Sequence, residues 1–559
     1  MQTIDLSAVG AQALTPGRLS ELLANAQDAE ILLPAGRIDI YEADCVRRTL
    51  AVSNSNQTDA LRIGVLLQGA RRVRVVGRDT RIVCHGQFTP LALLDCEEVS
   101  VSGLSIDWAT PLTAEGEVVR VGGGSFDVRI DPERHPFAVR GGQLWFEDEN
   151  GADECFGLVE YDAATGRVQP GSGDGIRVAQ AQQLGADTVR CSLKGAYCPR
   201  EGSLLALRHA QRVHPGILIH GCRGIALESV RMYCCAGLGV LTQFSRDITL
   251  RALELTPNFA AGRRVAGCHD DGFHFSNVGG QVVVEECATY ALLDDPINVH
   301  GTALRVAGLL SPHCVQAEFM HPQSVNFDLW ARPGDEIGII DARTMHTVAT
   351  LRASGYALES ATRCTLTLEG ELPAGVAPGY ALENLTNTPS VRISRCHFGA
   401  GRARGVLLTT PRPAVIEDCV FESPGAQILL AGDSNYWYES GACRDVTIRR
   451  NVFTDAGDTC EYQFGGGMIS VTPEIPAPDP ALPYHGRISI CDNLFMANGA
   501  PLVKAFSARE IAFTGNTVMP SRAPSARRGE PTLIFNQCAQ VDIGGNRFVG
   551  CECGEILRR

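Results

Sequence analysis

Two short segments carry carboxylates at a spacing that suits chemistry: Cys268-His-Asp-Asp271-Gly-Phe-His274-Phe275 and Leu293-Asp294-Asp295-Pro-Ile-Asn298-Val-His300-Gly301. Asp271 and Asp294 lie 23 residues apart, and Asp295 adds a third carboxyl. Cleaving a glycosidic bond without a metal takes two carboxyl groups, one to protonate the leaving oxygen and one to activate water or attack. Crowded carboxylates push one pKa up, which keeps a proton available for the acid role. Asp-Asp and Asp-Gly are also ordinary turn dipeptides. What raises this cluster above a pair of turns is a spacing equal to a repeat found elsewhere in the chain.

That repeat is clearest in the C-terminal third. An apolar residue, two others, Cys or Asn, one more and an apolar residue recur as Ile393-Ser-Arg-Cys396-His-Phe398, Ile416-Glu-Asp-Cys419-Val-Phe421 and Ile448-Arg-Arg-Asn451-Val-Phe453. The frame continues at Ile490 to Phe495, Phe513 to Val518 and Ile543 to Phe548, with shortest steps of 23 residues. A period near 23 with short alternating strands is one rung of a parallel β-helix, the next rung stacking about 4.8 Å above. Inward Ile, Val and Phe then form ladders, most cysteines serve as small buried hydrophobes, and Asn at the turn takes left-handed geometry and bonds its neighbours. The rhythm reappears at Val73 to Trp108 and from Gly216 to Cys287. On successive rungs, Asp271 and Asp294 share a face. Alternation forbids Asp294 and Asp295 from both facing out of one regular strand, so the strand is expected to end at Asp294, with Pro296 marking the bend.

The expected fold is all-β, a right-handed parallel β-helix with two inserted antiparallel β-barrel-like modules. Residues 1–109 read as an N-terminal cap and first rungs, with Pro16 to Asp28 as the one candidate helix. Residues 110–213 read as an inserted module, 214–302 as rungs bearing the Asp cluster, 303–388 as a second module, and 389–559 as C-terminal rungs. The modules show longer alternating strands, as in Glu117-Val-Val-Arg-Val121 and Cys364-Thr-Leu-Thr-Leu368.

Composition narrows the partners. The formal charge of −14 repels a phosphate backbone, so nucleic acid is not expected. No run of about 18 apolar residues spans a membrane. The start, Met1-Gln-Thr-Ile-Asp-Leu, lacks a basic region and an apolar core, and 21 cysteines without repeated C-x-x-C pairs suit reduced thiols rather than a disulfide framework or zinc ribbon. A cytoplasmic location follows as the expectation, with a secreted origin and a removed leader left open. No cofactor and no metal are expected, and the modules leave room for a homodimer.

The Asp-Asp segment, with Asp271-Gly-Phe-His274-Phe275 upstream, resembles glycoside hydrolase family 110, the α-1,3-galactosidases. Gly239-Val-Leu-Thr-Gln243, Arg404-Gly-Val-Leu-Leu-Thr409, Gly432-Asp-Ser-Asn435-Tyr-Trp437-Tyr-Glu439-Ser-Gly441 and Ile469-Ser-Val-Thr-Pro-Glu474-Ile475 resemble it too. The resemblance implies a β-helix with β-barrel modules and metal-free removal of terminal α-1,3-linked galactose, with inversion, from linear or blood-group-B-type glycans. Asp271, Asp294 and Asp295 become the catalytic carboxylates, with Asp294 expected as the acid and Asp271 and Asp295 as holders of the water. His274, Asn298, His300, Gln243, Arg404, Trp437 and Glu439 become substrate contacts. Each has a plain structural reading beside it. Trp437 either stacks on galactose or packs under a loop, and His274 either bonds a hydroxyl or is a core histidine. His300 is expected to buttress the Asp-Asp turn, while Arg404, Gln243 and Glu439 either bond hydroxyls or are solvated. Asp270 is expected to turn away.

Two other readings share the fold. A polygalacturonase-like hydrolase expects an Arg-Ile-Lys grip on a uronate and a Gly-His-Gly turn, and neither is present. A non-catalytic carbohydrate-binding solenoid has little use for three convergent carboxylates.

Overall fold

Short runs of alternating apolar residues build rungs of three strands, as in Ile217–His220, Arg223–Glu228 and Arg231–Met232. The next rung repeats them at Val240–Gln243, Arg246–Arg251 and Glu254–Leu255, paired in parallel with Ile217 opposite Val240 and Ile225 opposite Ile248. The computed structural model describes every residue except 1, 8, 10–13, 25, 174, 266, 455–465 and 523–527. Within it the first strands of the rungs stack into one sheet from Leu61–Gln68 to Ile556–Arg558, and the second and third strands into another. This is a parallel β-helix.

Inward side chains line up from rung to rung. Phe398, Phe421, Phe453, Phe495 and Phe513 stack with ring centroids 4.9–5.6 Å apart, each pair adding about 0.5–1.5 kcal/mol beyond its burial. At the turn, Cys396, Cys419, Asn451, Asn493, Asn516 and Asn546 form a second ladder. Asn493 Oδ1 accepts from Asn451 N (2.9 Å), and Asn493 Nδ2 donates to Ile448 O (3.0 Å). The expected left-handed residue is not the Asn. It is the residue before, Arg395, Asp418, Arg450 and Asp492, with φ of 54–58°. That bend frees the Asn to bond both neighbours.

The helix runs over Pro16–Leu23, with Thr15 Oγ1 accepting from Arg18 N, and buries Leu19 and Leu23 on the open end of the coil. It stops short of Asp28 because the chain must already be extended at Gln27–Leu32 to pair with Arg71–His85.

Two modules interrupt the coil. The first carries a six-stranded antiparallel sheet (Gly157–Tyr161, Leu204–Arg208, Thr113–Gly122, Ser125–Ile130, Thr188–Leu193, Val178–Gln183), which shares a core with a three-stranded sheet. The second is a closed six-stranded barrel between Leu304–Ser311 and Ala381–Asn384, with Trp330 fully buried inside. Stacking resumes beyond it, since Val406 pairs directly with Ile297. Strands Val240–Gln243, Phe273–Ser276 and Ile297–Thr302 are buried at every residue, unlike the alternating Arg246–Arg251. Their outer face is covered, and the site lies there.

Candidate active site

Asp271 and Asp294–Asp295 sit in consecutive turns, before Phe273–Ser276 and before Ile297–Thr302. The register pairs Phe273 with Ile297, so this rung is 24 residues long rather than 23. Asp271 is therefore level with Asp295, and Asp294 with Asp270. The preceding strand ends at Thr289, not at Asp294. Both carboxylates belong to the turn, where strand alternation no longer constrains them. The turns stack tightly, with Gly272 N donating to Asp295 O (2.9 Å) and Phe273 N to Pro296 O (2.8 Å). A Cβ on Gly272 would meet Pro296 O at 2.7 Å, so only glycine fits.

Asp271, Asp294 and Asp295 line one pocket of about 510 Å³, together with Arg212, Asn298, Arg404, Trp437 and Glu439. Arg212 was not picked out in the sequence, having no motif around it. Its guanidinium lies 3.4 Å from Asp270 Oδ1, 3.7 Å from Asp271 Oδ1 and 3.6 Å from Asp294 Oδ2. Arg402, also unforeseen although two residues from Arg404, is buried with its guanidinium 3.1 Å from Asp294 Oδ1. Arg404 holds Asp295: its Nε and backbone N donate to Oδ1 (2.9 and 3.0 Å), and its other arm reaches Oδ2 at 2.7 Å. It is bound rather than solvated. Asp270 does turn from the pocket, toward Arg208, Arg212 and His269. Burial works to raise its pKa, but Arg212, His269 and Arg208 overcome that and hold it well below the usual carboxylate range.

Burial first, and Asp294 next, push Asp271 up to about 8 against the pull of Arg212. Burial pushes Asp295 up to about 7 against the pull of Arg404. At neutral pH the cluster therefore retains a proton while cations surround its other members.

The remaining expected contacts divide. Asn298 lines the pocket with its Oδ1 buried and without a hydrogen-bond partner among the described residues. Trp437 stands 40% exposed at the rim beside Tyr436, packed on His321 with centroids 4.3 Å apart. The loop bearing them is gathered by Asp433, whose carboxylate accepts backbone N–H groups from Asn435 through Tyr438. Glu439 pairs in strand geometry with Thr302 and accepts from Asn54 Nδ2 (2.8 Å). Gln243 does not face the pocket. It accepts from Ser53 N and donates to Ala51 O, both at 2.8 Å, and so pins the loop that presents Asn54. His274 is fully buried and spends its Nδ1 on Asp271 Oδ2 (2.7 Å). His300 contacts His274 and Glu439 rather than the Asp-Asp turn. Glu474 also lines the pocket, pushed up to about 6 by burial and then by Asp433 and Glu439. Leu407, Leu429 and Ala431 give it an apolar patch. Among the described residues no group of three or more His, Cys, Asp or Glu is placed to hold a metal ion, and no helix is long and apolar enough to cross a membrane.

Residues 114–205 match the model of GLAA-B β-barrel domain I, and 314–382 that of GLAA-B β-barrel domain II. The chain is 36% identical to α-1,3-galactosidase B of Bacteroides thetaiotaomicron, over 94% of this chain and 86% of that protein. It is 31% identical to α-1,3-galactosidase B of Akkermansia muciniphila, over 92% and 65%. It is 29% identical to α-1,3-galactosidase A of Bacteroides fragilis, over 93% and 86%. Among solved structures, an exopolygalacturonase from Thermotoga maritima aligns with 93% of this chain and 88% of its own at 10% identity and a TM-score of 0.40.

Proposed function

The chain belongs to the α-1,3-galactosidases, and from that membership we propose that it hydrolyses the terminal α-1,3-linked galactose from the end of an oligosaccharide, with inversion at the anomeric carbon. The observation that carries the chemistry is one pocket in which a carboxyl that keeps its proton at neutral pH, Asp271, stands with a second carboxylate, Asp294, flanked by two arginines. Glycosidic cleavage asks for one protonated and one ionised carboxyl. Asp271 protonates the leaving oxygen, and Asp294 takes the proton of the attacking water. This reverses the order expected from the sequence, because Asp271 is the carboxyl that burial pushes up, while Asp294 has Arg402 at 3.1 Å in addition to the Arg212 it shares with Asp271. Asp295, gripped by Arg404, orients the water or a hydroxyl. Asn298 Oδ1 accepts from a sugar hydroxyl, the apolar patch takes a C–H face of the ring, and Trp437 meets the second sugar at the rim.

A uronate substrate fits poorly. Glu439, Glu474 and the Asp cluster all line the pocket, and a sugar carboxylate would enter against them.

The test follows galactose release by proton NMR from galactose-α-1,3-galactose and from the fucosylated B trisaccharide. β-Galactose as the first product, lost in Asp271→Asn and Asp294→Asn, is the expected result. α-Galactose as the first product would overturn inversion, and release by neither substrate would overturn the activity.

A further inference from the structure

Asp271 is tied to a buried chain of rings. Its Oδ2 lies 2.7 Å from His274 Nδ1, His274 Nε2 lies 2.9 Å from His300 Nε2, and His300 Nδ1 lies 3.0 Å from Gly301 O. Each link needs one hydrogen. A carbonyl only accepts, so His300 Nδ1 carries its hydrogen. Two neutral imidazoles hold two hydrogens between them, and three links need three. The third sits either on Asp271 Oδ2, which then donates to His274, or on the ring pair, in which case His274 Nδ1 donates to Asp271 while His300 Nδ1 still donates to Gly301 O.

Glu439 decides between them. Its Oε1 lies 3.6 Å from His300 Nε2, the same nitrogen that faces His274. Glu439 is also held below its usual range, since His300, His274 and the Asn54 hydrogen bond outweigh its burial. A buried anion at that nitrogen favours a hydrogen there and balances the charge it brings. Both rings are buried, and His274 is the poorer seat for that charge because Glu439 stands at His300 and Arg212 adds a repulsive cation at His274.

We propose that His274 and His300 are positioning residues for Asp271: the ring pair carries one proton more than two neutral imidazoles, Glu439 balances it, and the chain ends in an N–H donated to Asp271 Oδ2, leaving Oδ1 as the oxygen that exchanges a proton with substrate. This rests on the reading of Asp271 as the acid. In the step itself the Oδ1–H bond breaks, its electron pair stays on Asp271, and the proton forms an O–H bond to the departing sugar as the C–O bond breaks. The new carboxylate is met by the His274 N–H at Oδ2 and by Arg212 at Oδ1. The other charges facing Asp271 are Asp270, Asp294, Asp295 and Arg404. Those facing His300 are Glu439 and, through His274, Asp271.

Neutron diffraction from deuterated wild-type crystals reads the chain directly and without reference to activity. Deuterium on both nitrogens of His300 and on Nδ1 of His274, with none on Asp271 Oδ2, is expected. Deuterium on Asp271 Oδ2 and on His274 Nε2 would overturn the proposal. In solution, Glu439→Gln keeps the length and an oxygen for Asn54 but removes the balancing charge. It is expected to lower kcat by about 10²-fold and to move the alkaline limb of the kcat profile upward, as Asp271 loses the N–H that favours its ionised form. An unchanged limb, the result of a merely structural role, would overturn the proposal. A wild-type protein that releases no galactose would sink the functional reading instead, and the deuterium positions would still judge the chain.

Discussion

Arg212→Met removes the one cation shared by Asp270, Asp271 and Asp294, and its effect can be worked through. The guanidinium lies 3.7 Å from Asp271 Oδ1. At that distance and an effective dielectric near 20, a unit charge interacts with a carboxylate by about 4 kcal/mol, or about three pKa units. Arg212 is partly open to the pocket, and water entering the vacated space together with Arg404 reduces this to about one to two units. Without the cation Asp271 holds its proton more tightly. The alkaline limb of kcat/KM, which reports the essential acid of the free enzyme, therefore moves up from about 8. The assay is initial galactose release across the pH range at substrate well below KM. Arg212→Lys, which keeps the charge, should leave the limb near its wild-type place. Asp270 retains Arg208 at 3.6 Å, so the fold has a remaining partner for that buried carboxylate. A limb in Arg212→Met that stays put or moves down would refute both the role of Arg212 and the choice of Asp271 as acid.

Asp271 binds its proton more tightly in the folded chain, about 8 against 3.8 for an ordinary aspartate, so stability should fall as pH rises across that window. Thermal unfolding should show a decline from pH 5 to 8 that is shallower in Asp271→Asn, and equal slopes would contradict the assignment. Trp437→Ala removes an aromatic face at the rim worth about 0.5–1.5 kcal/mol; KM for the disaccharide should rise up to about tenfold with kcat little changed, while a fall in kcat alone would place Trp437 at the reacting bond. Phe421→Ala opens the middle of the phenylalanine stack and should cost about 3–5 kcal/mol in urea unfolding, with galactose release by the folded fraction retained.

The solenoid was legible because its signal is repeated. One rung of Ile, Cys or Asn and Phe is ambiguous, but six in frame are not, and the 23-residue steps at Ile225–Ile248 and Ile393–Ile416 are the true registers. The carboxylates were legible through the same period, and here the period misled by one residue. The bend at 277–281, after the strand that follows Asp271, takes an extra residue at the register shift opposite Arg246–Ile248, which sets Asp295, not Asp294, level with Asp271. Sequence spacing cannot reveal which turn absorbs an insertion. Arg212 and Asn54 were invisible for a different reason. They lie outside any rung frame and reach the pocket only because the chain returns from the first module and the N-terminal loop is pinned by Gln243. Gln243 itself was readable as conspicuous but not as a strut, since an amide that bonds backbone looks the same in sequence as one that bonds sugar.

The insertions explain why an exposed sheet face can do this chemistry at all. A bare stack of rungs would leave Asp271 and Asp294 in water, where neighbouring carboxylates simply ionise and no proton is kept. The acid needs burial, and Asp271 is only 3% exposed. That burial comes from elements outside the stack. Arg212 comes from the chain leaving the first module, and Asn54 from the N-terminal loop. Gln323 and His321 belong to the barrel, and Glu439 and Trp437 to the loop gathered by Asp433. The repeat sets the carboxylates at a fixed height from one another, and the covering elements set their charge. A substitution that loosens the cover without touching a carboxylate, such as Gln243→Ala releasing the loop of Asn54, should therefore let water in, lower the pKa of Asp271 and pull the alkaline limb of activity down. The fold, read by circular dichroism and thermal unfolding, should be largely intact. If that limb holds while the loop is shown to be mobile, burial by the cover is not what keeps the proton.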